Sequence, residues 1–142
     1  RVPQGERIVF TNGVFDLLHL GHVELLEFAK EQGDRLIVGI NDDESVRRLK
    51  GPTRPIFPVA ERLEILAAFS CVDYVIAFAE DTPLQLIQAL ARVDVLVKGG
   101  DYAPGDVVGR EWVEGRGGKL ILFPYRQGKS TTSLIERIRA QG

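Results

Sequence analysis

The feature that most limits what this chain can become is an alternation of short apolar runs with amphipathic stretches, repeated about five times. Arg35-Leu36-Ile37-Val38-Gly39-Ile40 carries no polar side chain after its first residue. A half-exposed strand would alternate, whereas a continuous apolar run suits a strand covered on both faces. Comparable runs stand at 7–11, 73–78, 93–97 and 119–123. Between them the spacing predicts helices. One spans 20–32, with Leu20, Val23, Leu26 and Ala29 on one face and Gly33 as its stop. Others span 43–49, 58–69 (opened by Pro58) and 107–115. Asp81 or Thr82 is expected to cap a helix reaching about 91, and Ser130 or Thr131 a last one reaching about 140. Strand and helix in strict alternation predict an α/β domain over 1–142, with an about five-stranded parallel sheet and helices on both faces. Ligands of such sheets sit beyond the carboxyl ends of the strands, where the strand order reverses.

Composition narrows the partners. The 142 residues carry a net charge of -2, so no broad basic surface is available for nucleic acid. No apolar run reaches the length of a bilayer span and no signal peptide opens the chain, so no membrane partner is expected. Cys71 is the one cysteine and excludes an internal disulfide. In Ala67-Ala68-Phe69-Ser70-Cys71-Val72 it reads as a small buried hydrophobe. The expected compartment is the cytoplasm. The first residue is Arg1 rather than Met, as in a trimmed chain or a piece of a longer polypeptide.

The chemistry is expected in the loop after the first strand, Thr11-Asn12-Gly13-Val14-Phe15-Asp16-Leu17-Leu18-His19-Leu20-Gly21-His22. Both histidines of the protein lie here, three apart at a helix start, and so share a face. A helix N-terminus offers free N–H groups and positive potential to a phosphate. Gly13 lets backbone approach, and Gly21 clears space between the imidazoles. Zinc would need a third ligand, for which only Asp16 or Glu24 stands near. A purely structural reading makes both histidines caps or surface residues.

Gly13-Val14-Phe15-Asp16-Leu17-Leu18-His19-Leu20-Gly21-His22 resembles the signature of the cytidylyltransferase-like nucleotidyltransferases. Gly128-Lys129-Ser130-Thr131-Thr132-Ser133 resembles their second signature, a Ser-Thr-Thr helix start. A P-loop is rejected, because Phe123 stands where that motif needs glycine. The resemblance implies a Rossmann-like fold of the HxGH nucleotidyltransferase kind. Arg48-Leu49-Lys50-Gly51-Pro52-Thr53-Arg54-Pro55, Glu80-Asp81-Thr82-Pro83 and Val97-Lys98-Gly99-Gly100-Asp101-Tyr102 are similar to the heptose-1-phosphate adenylyltransferase branch. That branch implies ATP, heptose 1-phosphate and magnesium as reactants, with ADP-heptose and pyrophosphate as products. It also implies a homodimer, and a fusion or partnership with a sugar kinase. Glycerol-3-phosphate cytidylyltransferase shares both signatures and is the alternative, with a non-catalytic nucleotide-binding module as a second.

By the same resemblance His19, His22 and Lys98 are the expected catalytic residues, with backbone N–H groups near Val14 and Phe15 assisting. Asn12, Gly13, Gly21, Gly99, Asp101, Arg126 and Gly128 are expected to bind nucleotide, with Ser130, Thr131 and Thr132 on its β- and γ-phosphates. Lys50 and Arg54 stand in a loop bounded by proline and glycine, suited to closing over phosphate. Lys98 ends a buried strand at the ligand edge. Asp16 and Asp101 are candidates for orienting groups or a magnesium contact. Arg62 is either a family position or a surface salt bridge.

Overall fold

The computed structural model describes residues 5–124 and 131–141, the side chains of 131–134 and 141 excepted. Five strands form one sheet: β1 (Ile8–Gly13), β2 (Arg35–Asn41), β3 (Tyr74–Phe78), β4 (Val95–Gly99) and β5 (Lys119–Phe123). All four pairings are parallel, in the order β3-β2-β1-β4-β5. The chain builds outward from β1 to β3, then crosses back to lay β4 against the free side of β1. The strand order therefore reverses between β1 and β4, and a crevice opens at their carboxyl ends.

Six α-helices connect and flank these strands: α1 (Leu20–Glu31), α2 (Asp43–Lys50), α3 (Val59–Ala67), α4 (Leu84–Leu90), α5 (Arg110–Gly115) and α6 (Thr131–Gln141). The strands lack a polar face because both faces are packed. Val9, Val95 and Val97 meet Leu25, Leu26 and Ala29 of α1 and Leu66 of α3 on one side. Ile8, Phe10 and Leu96 meet Ile87 of α4 and Val113 of α5 on the other. Among the described residues no helix is long and apolar enough to cross a membrane.

Local details depart from the sequence expectation. Leu20 is half exposed, and α1 instead buries Gly21, His22, Leu25, Leu26 and Ala29. The cap at His19 sets the helix phase and turns His22 inward. Pro83 holds the N-cap position of α4 without a side-chain bond, and Thr82 Oγ1 accepts from the Leu84 N–H at 3.5 Å. Asp81 is drawn away instead, its Oδ1 accepting from Arg48 Nε at 2.8 Å. A 3-10 turn at Pro104–Asp106 precedes α5, which begins three residues later than expected. Cys71 is half-buried against the core rather than enclosed by it.

Candidate active site

Strand β1 delivers the chain into the crevice at Gly13, and the next residues must turn sharply to enter α1. Phe15 makes that turn with φ +50, a left-handed conformation rare for a bulky side chain. Its ring lies over Gly13, where an added Cβ would come within 3.0 Å of Phe15 Cε2. The same ring meets the imidazole of His22 at 5.3 Å between centroids. Glycine at position 13 therefore spares the Phe15 ring a tight contact as well as opening the backbone to ligand.

The two histidines cap the helix reciprocally. His19 is the N-cap, and its Nδ1 accepts from the backbone N–H of Gly21 at 3.0 Å. His22 stands at N3, and its Nδ1 accepts from the backbone N–H of His19 at 3.2 Å. This is a capping box with imidazoles in place of hydroxyl and carboxylate. An accepting Nδ1 puts the proton of each neutral ring on Nε2, the opposite edge. Capping and ligand binding are thus compatible roles: one nitrogen serves the helix and the other is a donor. Both histidines line the crevice, their rings 4.0 Å apart.

Burial, and secondarily the neighbouring His19, lowers the pKa of His22 to about 4. His22 is 7% exposed, so this neutral state is held by the fold. Its folded value lies below the ordinary 6.5, so the unfolded chain takes up the proton first. The stability that neutral His22 supports is complete above about pH 6.5 and is lost as pH falls towards 4. The loss should reach about 3 kcal/mol. His22→Gln keeps an acceptor at N3 and cannot titrate. Urea unfolding at pH 7 and pH 4.5 should show wild type losing more stability than this variant; parallel losses would contradict the assignment.

The crevice, about 450 Å3, gathers residues from the carboxyl ends of β1, β2 and β4 and from the described segments that follow β1, β2, β3 and β4. The β1–α1 loop supplies Asn12, Gly13, Val14 and Phe15 beside the histidines. The end of α2 and the loop after it supply Leu49, Lys50 and Arg54. Strand β4 and its loop supply Lys98, Gly99, Tyr102 and Asp106. Lys98 Nζ lies 5.0 Å from the centre of the Tyr102 ring. Burial, and then the charge of Lys50, holds the Lys98 ammonium below the ordinary lysine range. Two lysines from different elements, α2 and β4, that feel each other in a partly enclosed space favour an anion between them.

Asp16 does not face the crevice as a metal ligand. It is 2% exposed, and its Oδ2 accepts from Arg54 Nε at 3.1 Å and from the Ile56 N–H at 2.7 Å. Its Oδ1 accepts from the Phe57 N–H at 2.9 Å. The carboxylate is consumed in fastening the loop that carries Arg54 to the head of α1. Among the described residues no cluster of three or more metal-binding side chains exists, so the zinc alternative through Asp16 or Glu24 finds no support. Two other expected positions differ. Gly21 is buried and does not line the crevice; its contribution is the N–H that caps through His19. Asp101 is exposed outside the crevice, while its neighbour Tyr102 lines it. Arg126, Gly128 and Ser130 lie outside the described residues, as do the side chains of Thr131 and Thr132.

Arg62 is the group that sequence reasoning left undecided. It is 1% exposed and spends its guanidinium inside the protein. Nε donates to the Phe57 carbonyl at 2.9 Å. Nη1 donates to the carbonyls of Val14 at 2.9 Å and Asn41 at 2.7 Å, and Nη2 to Asp43 Oδ1 at 2.8 Å. One side chain therefore ties α3 to the loops after β1 and β2 and to the start of α2. Asn41, Asp81, Thr82, Pro83, Val107 and Val108 also line the crevice unforeseen. Asn41 ends β2 and 81–83 follow β3 closely, whereas Val107 and Val108 come after the 3-10 turn and carried no such signal.

Comparison with known proteins agrees with this geometry. The chain is 57% identical over 135 residues to Bifunctional protein HldE of Syntrophotalea carbinolica, covering 95% of this chain and 27% of that one. It is 59% identical over 136 residues to Bifunctional protein HldE of Geotalea uraniireducens, covering 96% and 28%. The chain thus spans little more than a quarter of these relatives' length. Among solved structures it resembles the lipopolysaccharide core biosynthesis protein from Thermoplasma volcanium, with a TM-score of 0.69 and 27% identity, covering 86% of this chain and 98% of that one. A pantoate-beta-alanine ligase from Francisella tularensis shares the fold at a TM-score of 0.55 and 16% identity, covering 96% of this chain and 67% of that one. The sequence model of the cytidylyltransferase-like family matches residues 10–137, a span that takes in the histidine cap, both lysines and all five strands but the first two residues of β1. On that span, this chain belongs to the cytidylyltransferase-like family.

Proposed function

We propose that the chain transfers AMP from ATP to D-glycero-β-D-manno-heptose 1-phosphate, giving ADP-heptose and pyrophosphate. The observation that carries this reading is the crevice itself. Two histidines at a helix head line the same space as Lys50 at the end of α2, Arg54 in the loop after it and Lys98 of β4. The acceptor phosphate attacks the α-phosphorus of ATP and pyrophosphate leaves in line. A phosphate monoester is already nucleophilic near neutral pH, so the protein needs to supply position and charge compensation rather than a base. His19 and His22 donate to the α-phosphate oxygens as negative charge builds there. Lys50, Arg54 and Lys98 hold the flanking phosphates. The Ser-Thr-Thr start of α6 holds the β- and γ-phosphates.

The choice of heptose rests on the similarity of 48–55, 80–83 and 97–102 to that branch and on the relatives named HldE. Their greater length and the word bifunctional support a sugar kinase as fusion or functional partner. ADP-heptose would serve lipopolysaccharide core or other heptose-containing glycans, made in the cytoplasm. Magnesium enters with ATP as its counter-ion, on phosphate oxygens. The described residues do not fit a dedicated magnesium cage, and no step is assigned to the ion.

Asp16→Asn separates these views of the carboxylate. An amide cannot accept from all three donors that converge on it, so stability in urea should fall by about 2 kcal/mol. The magnesium concentration giving half-maximal turnover should stay unchanged. A variant of normal stability with weakened magnesium dependence would restore the metal role. For the reaction, the decisive assay pairs ATP and CTP with heptose 1-phosphate and glycerol 3-phosphate and reads pyrophosphate. Release is expected from ATP with heptose 1-phosphate. Release only from CTP with glycerol 3-phosphate would overturn the reading, and nucleotide binding without release from any pair would favour a non-catalytic module.

A further inference from the structure

The crevice carries charges of both signs, and the fold separates them. Among the described residues its cations are Lys50, Arg54 and Lys98, while its carboxylates are Asp81 and Asp106. A polyphosphate laid against a carboxylate meets like charge, so Asp81 and Asp106 mark where uncharged parts of the substrates lie. An ionised carboxylate only accepts hydrogen bonds, and the uncharged groups that suit it are hydroxyls. Two substrates bring two polyols, the ribose of the nucleotide and the sugar of the acceptor. Topology divides them. Asp106 stands between β4 and α5, on the side of β4 and β5, after which α6 follows. Asp81 follows β3, across β1 and β2 from that side. With the triphosphate assigned to the heads of α1 and α6, the side of β2 and β3 is left for the acceptor.

Asp81 is braced there. Its Oδ1 accepts from Arg48 Nε at 2.8 Å, and Arg48 also donates to the Ala79 carbonyl. One turn earlier on α2, Ser45 Oγ donates to the Glu80 carbonyl at 2.8 Å and accepts from Asn41 Nδ2 at 3.0 Å. The segment 79–81 is thus fastened along α2, and α2 ends at Lys50, which lines the same crevice. One helix therefore fixes a cation and a carboxylate relative to each other. A sugar phosphate asks for that pair: an ammonium for its phosphate and an acceptor for its hydroxyls. Asp81 Oδ2 makes no hydrogen bond among the described residues, and Thr82 extends the polar wall.

We propose that Asp81, with Thr82 beside it, is the hydroxyl-recognising wall of the acceptor subsite, selecting a polyol phosphate whose phosphate is held towards Lys50. This rests on the proposed transfer to a sugar 1-phosphate, and the experiment keeps the two apart. Asp81→Asn should fold normally, because its pair with Arg48 is exposed. In the turnover assay it should raise KM for heptose 1-phosphate about 10- to 100-fold, the scale of one hydrogen bond to a charged acceptor. KM for ATP and kcat should stay within about twofold. An unchanged acceptor KM, or an equal rise in both KM values, overturns the subsite. Should wild type release no pyrophosphate with heptose 1-phosphate, the reaction reading fails and calorimetry decides the subsite by itself. Wild type should bind heptose 1-phosphate more tightly than inorganic phosphate, and Asp81→Asn should bring the two affinities together. Equal affinities in wild type, or an unaltered preference in the variant, overturn it.

Discussion

Replacing His19 or His22 with alanine is expected to lower turnover about 100- to 1,000-fold, the scale of losing one donor preorganised for developing charge. Each change also deletes a cap, because Nδ1 of each ring accepts a backbone N–H at the head of α1. Loss of a cap costs about 1 kcal/mol of stability, too little to unfold a domain of this size. Two further variants separate the roles. His19→Asn keeps an N-cap acceptor and His22→Gln keeps one at N3, yet neither supplies Nε2–H in the same place. Both should recover most of the stability and little of the turnover. Turnover that returned together with the cap would make the histidines structural. Near-normal turnover in both alanine variants would remove them from the reaction.

The largest effect on stability is expected at Arg62. Arg62→Ala leaves three carbonyls and Asp43 without their donor. Removing one partner of a buried ion pair costs about 3–5 kcal/mol, and here Asp43 is only partly shielded, so about 3 kcal/mol is the expected fall in urea unfolding. The cost should not be confined to stability. Val14 follows β1, Asn41 ends β2, both line the crevice, and Arg62 Nη1 bonds both carbonyls. Activity at a temperature where the variant remains folded should therefore also fall. Arg62→Lys should recover little, since a single ammonium cannot meet acceptors spread around a planar fork. A stable, active Arg62→Ala variant would show that α3 and the crevice loops are held by packing alone.

How much of this was legible in the sequence depends on how local the cause is. The five strands were legible because burial on both faces leaves an unbroken apolar run, and no distant partner is needed to see it. The head of α1 was legible for a similar reason: glycine, histidines and a helix start lie within ten residues. Its inner logic was not, because a histidine reads as either a cap or a ligand, while the capping box uses Nδ1 of each ring. For Asp16 the choice between an orienting group and a magnesium contact was not legible, because the N–H groups it accepts from come from residues 40 and 41 positions away. Arg62 was undecided for the same reason, with acceptors 48, 21 and 19 positions distant and only one of them a side chain. At the start of α4 the choice between Asp81 and Thr82 turned on competition: Arg48, 33 residues earlier, takes the carboxylate, and the Thr82 hydroxyl accepts from the Leu84 N–H. Asp101 and Tyr102 show the limit of counting along a loop. The expectation chose the charge, and the fold turned the ring beside Lys98 instead.

The central claim is that the imidazole pair at the head of α1 faces the α-phosphate of a bound triphosphate. A crystal structure with ATP whose α,β-bridging oxygen is replaced by methylene tests it directly, since that analogue binds without being cleaved. Nε2 of His19 and of His22 should each lie within about 3.2 Å of an α-phosphate oxygen, with Lys98 in the same shell. A triphosphate seated elsewhere, with neither imidazole in reach of any phosphate oxygen, would contradict the account.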